Sequence, residues 1–391
     1  MSAAEPQHAY HEDLGYYEER AGGLLASARD GPGDARAAFT RWGAPMTEAG
    51  ARWVLAREHG MADWQSLAEH VATLRKRGEP FAEAYRALEA RDREWLAALL
   101  DRTPGLVEAR GTNDNDLLGM AAATGDASIV ALLLKRGADP ARGNAHGWTA
   151  LHQAGYSGSA ELARMLLDAG APTGVSARGD GGTPLVCALF WGHRETADVL
   201  AGHGVVPLNL RVAAGLGRLD LVVALVPDGR PASLAAGAHR AFYRPHGGFP
   251  AWQPSDDPAE IRDEGLAWAA RSDRLECLDL LAARGAALDA DVYRGTPLAW
   301  AAFAGRARAV ERLLELGADP RGRTSFGGPD HGEDATALHL AAQNGHVDVI
   351  RILLAAGADP EARDALHDAT PADWALYGGR PGAVAALEAG V

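Results

Sequence analysis

One pattern recurs in eight stretches of this chain, and a fixed internal period decides an architecture before any single residue does. The clearest copy reads Thr336-Ala337-Leu338-His339-Leu340-Ala341-Ala342-Gln343-Asn344-Gly345-His346. It continues through Val347-Asp348-Val349-Ile350-Arg351-Ile352-Leu353-Leu354 to Gly357-Ala358-Asp359-Pro360. The frame returns at Thr149-Ala150-Leu151-His152, Thr183-Pro184-Leu185, Thr296-Pro297-Leu298 and Thr370-Pro371-Ala372. Thr149 and Thr183 stand 34 residues apart, as do Thr336 and Thr370.

The pattern has a physical reading of its own. Thr149 is placed to cap a helix by accepting a backbone N–H, and Pro184 suits a first helical turn, where no N–H partner is needed. Small residues (Ala121, Ala122, Ala154, Ala188, Ala301, Ala302, Ala341, Ala342) let the first helices of neighbouring units approach closely. Leu132-Leu133-Leu134, Leu166-Leu167, Leu280-Leu281, Leu313-Leu314 and Leu353-Leu354 form the apolar stripe of the second helices. Gly137, Gly170, Gly285, Gly317 and Gly357 follow these stripes, where a left-handed cap is required. No unit buries its apolar face alone, so the units must stack.

These residues resemble the ankyrin repeat, which implies a β-hairpin tip and two antiparallel helices per unit. The expected fold class is all-α: an ankyrin-repeat α-solenoid with β-hairpin tips, preceded by a small helical N-terminal region. The expected division is a disordered tail at 1–9, a helical region at 10–78 and the solenoid at 79–391. Within the helical region, Asp34 is a candidate cap of a short helix, Thr47 caps a helix running to Glu58, and Asp63 caps the next. Residues 54–64 look like a segment that often precedes ankyrin arrays in bacterial proteins, so a bacterial type is expected. Two insertions break the period, at about 228–262 and 321–332, the first adding roughly 22 residues to the regular spacing and the second about 7.

Charge and composition exclude several functions. The net charge is −14, which opposes binding to a phosphate backbone, and the helix after Gly60 carries Glu69 rather than a basic reading face. No nucleic-acid partner is expected. No run of 18 apolar residues exists and the first residues are polar, so neither a membrane span nor a signal peptide is read, and a cytoplasmic location is expected. Cys187 and Cys277, the two cysteines, fall on apolar helix faces and read as buried thiols. No phosphate loop ends in Gly-Lys-Ser or Gly-Lys-Thr, and Gly155-Tyr156-Ser157-Gly158-Ser159 lies inside a helix rather than at a strand-to-helix elbow.

The resemblance also implies which side chains face the concave groove: the two residues before each mid-unit glycine or its equivalent. Tyr156, Phe190, Trp191, Leu216, Arg271, Phe303 and Tyr377 fall there, joined by Trp148 at a hairpin tip and Trp252 in the first insertion. Apolar patches of this kind mark partner sites, so a protein partner is expected, bound without cofactor or metal. A rival reading is a cofactor-independent enzyme that cyclises or dehydrates a small molecule. Its acid–base groups would be Tyr243, Arg244 and His246 from the first insertion and Asp330, His331 and Glu333 from the second, converging over Trp268 and Trp300. His152 and His339 are expected to be structural, each bonding nearby backbone.

Overall fold

The computed structural model describes residues 13–30, 33–59, 61–77, 80–111, 114–177, 179–204, 206–229, 234–240, 254–326 and 333–389. The chain divides into two compact units, Met1–Ala154 with Arg164–Pro172, and Gly155–Ala163 with Thr173–Val391.

In the first unit, α1 (Leu14–Asp30) packs against α2 (Gly33–Arg41) and α3 (Glu48–Glu58), and α3 packs against α4 (Trp64–Arg77). Tyr17, Leu25, Phe39, Val54, Leu55, Leu67 and Val71 form their shared core. Thr47 caps α3 by accepting from the Gly50 amide, and Asp63 accepts from the Ser66 amide at 2.8 Å, ahead of α4. α2 begins at Gly33, so the expected cap Asp34 falls within its first turn. The pairs α5 (Pro80–Glu89) with α6 (Arg93–Arg102) and α7 (Leu117–Thr124) with α8 (Ala127–Lys135) follow. The division between units runs through the next pair, α9 (Ala150–Ser157) and α10 (Ala160–Asp168).

The second unit holds six further pairs. They are α11 (Pro184–Phe190) with α12 (Arg194–His203), α13 (Leu210–Leu216) with α14 (Leu219–Leu225), and α15 (Pro258–Arg271) with α16 (Leu275–Ala283). Then come α17 (Pro297–Phe303) with α18 (Ala307–Leu316), α19 (Ala337–Asn344) with α20 (Val347–Ala355), and α21 (Pro371–Tyr377) with α22 (Pro381–Glu388). From α13 onward the first helices stack in one layer and the second helices in another. Leu266, Leu278, Leu281, Val310, Leu313, Ile350 and Leu353 fill the space between them. Strands β1 (Arg323–Thr324) and β2 (Ala335–Thr336) pair antiparallel at the base of the second insertion.

The caps follow the repeated threonines. Thr183, Thr296 and Thr370 accept from the amides three residues on, and proline opens each of the three helices. Gly137, Gly170, Gly285, Gly317 and Gly357 have φ of 92°, 91°, 82°, 102° and 90°, the left-handed conformation that a helix C-cap needs. His339 lies in the core, where its Nδ1 meets Thr336 and its Nε2 meets the Ala369 carbonyl at 3.1 Å.

A second regularity joins unit to unit. A side chain at the start of a second helix reaches a carbonyl at the end of the preceding unit's first helix. His193 Nε2 donates to Tyr156 O (3.0 Å), Arg274 Nε to Gly215 O (3.2 Å) and Arg306 Nε to Arg271 O (3.2 Å). His346 Nε2 donates to Phe303 O (3.0 Å) and Arg380 Nε to Gln343 O (3.3 Å). These bonds satisfy carbonyls that a helix C-terminus leaves open.

The first insertion is tied at its neck by a buried ion network. Glu264 accepts from Arg211 Nη1 at 3.2 Å and from Arg240 Nε at 2.5 Å, both arginines being almost wholly buried. Arg240 also donates to Glu260 (2.6 Å) and to the Ser255 carbonyl (2.7 Å), and Glu260 in turn accepts from Ser255 Oγ at 2.8 Å. Arg240 and Ser255, 15 residues apart in sequence, are therefore held together by one side chain. Burial works against the charge on Arg240, but Glu264 and Glu260 outweigh it and lift its pKa above the ordinary arginine value. Arg211 Nη2 donates to His239 O at 2.8 Å. Gly181 (φ 81°) packs against that carbonyl so closely that a Cβ would overlap it.

Two outcomes are expected. Glu264→Ala removes a buried carboxylate shared by two buried guanidinium groups and should cost about 3–5 kcal/mol in urea unfolding of the full chain, whereas loss of a surface pair costs under about 1 kcal/mol. Burial also holds the pKa of His193, His339 and His346 below the ordinary imidazole value. Their contribution to stability is present above the unfolded pKa of about 6.5 and is lost as pH falls below it, because the unfolded chain then binds the extra protons. Unfolding midpoints at pH above and below that value should therefore differ less for His193→Gln/His346→Gln than for the parent. An unchanged pH slope would remove these histidines from the account.

Candidate functional site

The regular stacking is interrupted between α11 and α13. Residues 204–209 alone connect α12 to α13, whereas residues 284–296 connect α16 to α17, so the connection is too short to carry a hairpin. Arg218, whose position should bond it back to α11, instead pairs with Asp220 (2.9 and 2.6 Å). The open carbonyls of α11 find other partners. Arg271 Nη1 donates to Phe190 O at 2.8 Å, and an Arg306 Nη2 bond reaches Gly192 O. On the other helix of the pair, Asp198 binds Arg274 at 2.6 Å. The end of α11 is thus pressed against the ends of α15 and α17, across the layer of first helices.

This contact assembles the aromatic cluster. Phe190 is 3% exposed, with ring centroids of Trp300, Tyr293 and Trp268 at 5.2, 6.2 and 6.4 Å. The Arg271 guanidinium, 2% exposed, lies 3.7 Å from the Trp300 centroid, 5.1 Å from Phe190 and 5.3 Å from Trp268. The Arg211 guanidinium lies 4.9 Å from the Trp268 centroid. Desolvated cation–π contacts of this kind contribute about 2 kcal/mol each. Burial raises the Tyr293 pKa and lowers that of Arg294 beside it.

Outward from this core the rings become accessible. Trp191 lies 5.4 Å from Tyr156 and 6.0 Å from Phe303, and Phe303 lies 5.1 Å from Phe326. Tyr156 is 47% exposed, and Trp191, Phe303 and Phe326 are half-buried. Together they form one continuous aromatic strip, which stacking and hydrophobic contact make suited to an apolar partner group.

The groove-facing row expected from sequence is therefore split. Tyr156, Trp191 and Phe303 are presented, and Tyr377 is 89% exposed beside Leu376 at 66%. Phe190, Leu216 and Arg271 are buried rather than displayed, because the hairpin-free link lets α11 close over them. Trp148 is half-buried, with its ring 5.2 Å from His152 and its Nε1 donating to Gln153 at 3.1 Å. Tyr243, Arg244, His246, Trp252, Asp330 and His331 lie outside the described residues, and so does the expected meeting of the two insertions. Glu333 is exposed, and its carbonyl accepts from the Ala365 amide at 2.9 Å. Cys187 and Cys277 are both buried thiols, and burial pushes the Cys277 pKa up to about 11.

Sequence reasoning missed Phe326, Tyr293 and the Arg211–Glu264–Arg240 network. The available signals were a glutamate inside an Ala- and Leu-rich first helix and an arginine inside Leu210-Arg211-Val212-Ala213. Asp180 and His239 also meet unforeseen, at 2.8 Å, near the neck of the first insertion. Among the described residues no group of three or more His, Cys, Asp or Glu is arranged to hold a metal ion, and no helix is long and apolar enough to cross a membrane.

Comparison with known proteins accords with this architecture. A family model of three ankyrin repeats matches residues 117–212 and 210–324, and a single-repeat model matches residues 333–365. The chain is 29% identical over 287 residues to the ankyrin repeat protein nuc-2 of Neurospora crassa, covering 69% of this chain and 24% of that protein. It is 28% identical over 268 residues to the E3 ubiquitin-protein ligase KEG of Arabidopsis thaliana, covering 65% of this chain and 15% of that one. A bacterial relative, Protein PhlB of Serratia liquefaciens, is 38% identical over 85 residues, 22% of this chain and 34% of PhlB. The chain spans less than a quarter of the length of nuc-2 and of KEG. With paired helices capped at the same threonines and more than half of its length matched, the chain belongs to the ankyrin-repeat family.

Proposed function

We propose that this chain is a cytoplasmic, cofactor-free, protein-binding ankyrin-repeat module that meets its partner through the strip formed by Tyr156, Trp191, Phe303 and Phe326. Residues 10–78 serve as a helical cap ahead of the array at 79–391, and Tyr377 extends the contact surface toward the last repeat. The observation that carries this reading is the continuity of the strip: four rings from four repeat positions, each in contact with the next and each partly open to solvent. Aromatic side chains combine large contact area with few rotatable bonds, which is why they dominate interface energies. The acid–base reading of the two insertions is not adopted. Of its six groups only Glu333 is described, and an exposed carboxylate lacks the desolvation that tunes a proton-transfer group.

The test is position-specific photocrosslinking in the native cell. A photoreactive residue at Tyr156 should yield a discrete crosslinked protein, and one at Val223, 44% exposed on α14, should not. Identical products from the two positions, or none from Tyr156, would remove the strip as the contact surface.

A further inference from the structure

The strip has an electrostatic border. Arg194, at the start of α12, and Arg380, just before α22, are exposed, and Arg306, just before α18, is half-buried. Arg306 is bonded to the carbonyls of Arg271 and Gly192, so it stands beside Trp191, and Arg380 is bonded to the carbonyl of Gln343. Burial is the largest cause of the lowered Arg306 pKa; Asp273 works against it and the neighbouring Arg194 charge adds to it. None of the three has a carboxylate within ion-pair distance among the described residues. Of the acids nearby, Asp198 pairs with Arg274 at 2.6 Å, and Asp273, 3.7 Å from Arg308, is close enough to raise the Arg306 pKa without pairing with it. The histidines in the same row, His193 and His346, are held neutral by burial and add no charge at pH 7. An aromatic strip edged by three arginines is thus preserved in a chain whose net charge is −14.

We propose that the partner segment docked on this strip is acidic: a stretch of protein that sets one or more apolar side chains on Tyr156, Trp191 and Phe303 and directs carboxylates at Arg194, Arg306 and Arg380. This rests on the protein-binding reading above and names the partner's chemistry. A guanidinium that is not ion-paired gains attraction from an arriving carboxylate, most fully at the exposed Arg194 and Arg380, since Asp273 already acts on Arg306. The second helices that begin here add the positive ends of their dipoles in the same direction. A nucleic acid fits less well. Its phosphates recur every ~1.7 Å along the duplex and would face the field of the whole acidic chain, whereas a short segment needs only a few carboxylates.

The experiment is selection of random peptides of about a dozen residues, displayed on phage, against the full chain and three surface variants: Tyr156→Ala, Arg194→Glu and Arg380→Glu. The expected peptides are rich in Asp and Glu around an aromatic or aliphatic residue. Synthetic copies should lose about tenfold in affinity to Arg194→Glu and should weaken as salt rises. If peptides that depend on Tyr156 prove neutral or basic, or ignore both charge reversals, the acidic partner is wrong while protein binding at the strip survives. If no selected peptide depends on Tyr156, the strip itself fails and both readings fall. A single-stranded oligonucleotide that displaces the selected peptides and binds more tightly than they do would assign the basic edge to nucleic acid and overturn the proposal.

Discussion

The second unit depends on one buried guanidinium. Arg271 lies against the faces of Trp300, Phe190 and Trp268 and donates to the Phe190 carbonyl, so a single side chain joins α11, α15 and α17. Arginine suits this role better than lysine. Its planar, weakly hydrated head stacks on rings while its N–H groups still reach carbonyls, and an ammonium would have to give up a tighter hydration shell. Without Arg271, α11 would keep an open Phe190 carbonyl in an apolar setting, and one of the bonds that stand in for the hairpin missing between α12 and α13 would be lost.

That missing hairpin links sequence to geometry. In a regular array each unit is held by its neighbour, through a hairpin and a bond from the next second helix to the previous first helix. At residues 204–209 both are absent, and Arg218 turns to Asp220. The array answers with longer-range bonds: Arg271 to Phe190, Arg306 to Gly192, and Arg274 to Asp198. The next connection, between α14 and α15, is the first insertion, and its neck is closed by Arg240 on Glu260, Glu264 and Ser255. A short link and a long one thus stand side by side, each compensated by buried arginine.

Much of this was legible in the sequence, because local signals govern local structure. The threonines that open the first helices, the prolines behind them and the glycines after the leucine stripes stand where the pattern put them, since a cap or a positive φ depends on a few adjacent residues. The groove-facing row was only half legible. Reading Phe190, Leu216 and Arg271 as displayed assumed that every unit stacks on the next. The loss of the Thr-Pro-Leu start before Leu210 was the visible warning, but period alone does not say where a released helix will go. The aromatic strip needed tertiary placement too: Phe326 sits at a hairpin base, far in sequence from Tyr156 and Trp191.

The bonds between units explain how such a face acquires its charge. A donor at the start of the second helix is all the fold requires, and imidazole and guanidinium both supply one. His193 and His346 make the bond as neutral rings, whereas Arg274, Arg306 and Arg380 make it while carrying a permanent positive charge. Stacking is served equally by either choice, but the electrostatics are not. Each exchange of histidine for arginine adds one charge beside the aromatic strip at almost no structural cost, because the hydrogen bond is already paid for by the carbonyl it satisfies. The charge of this face can therefore vary independently of the repeat that carries it, which lets a common scaffold present different partners with different fields.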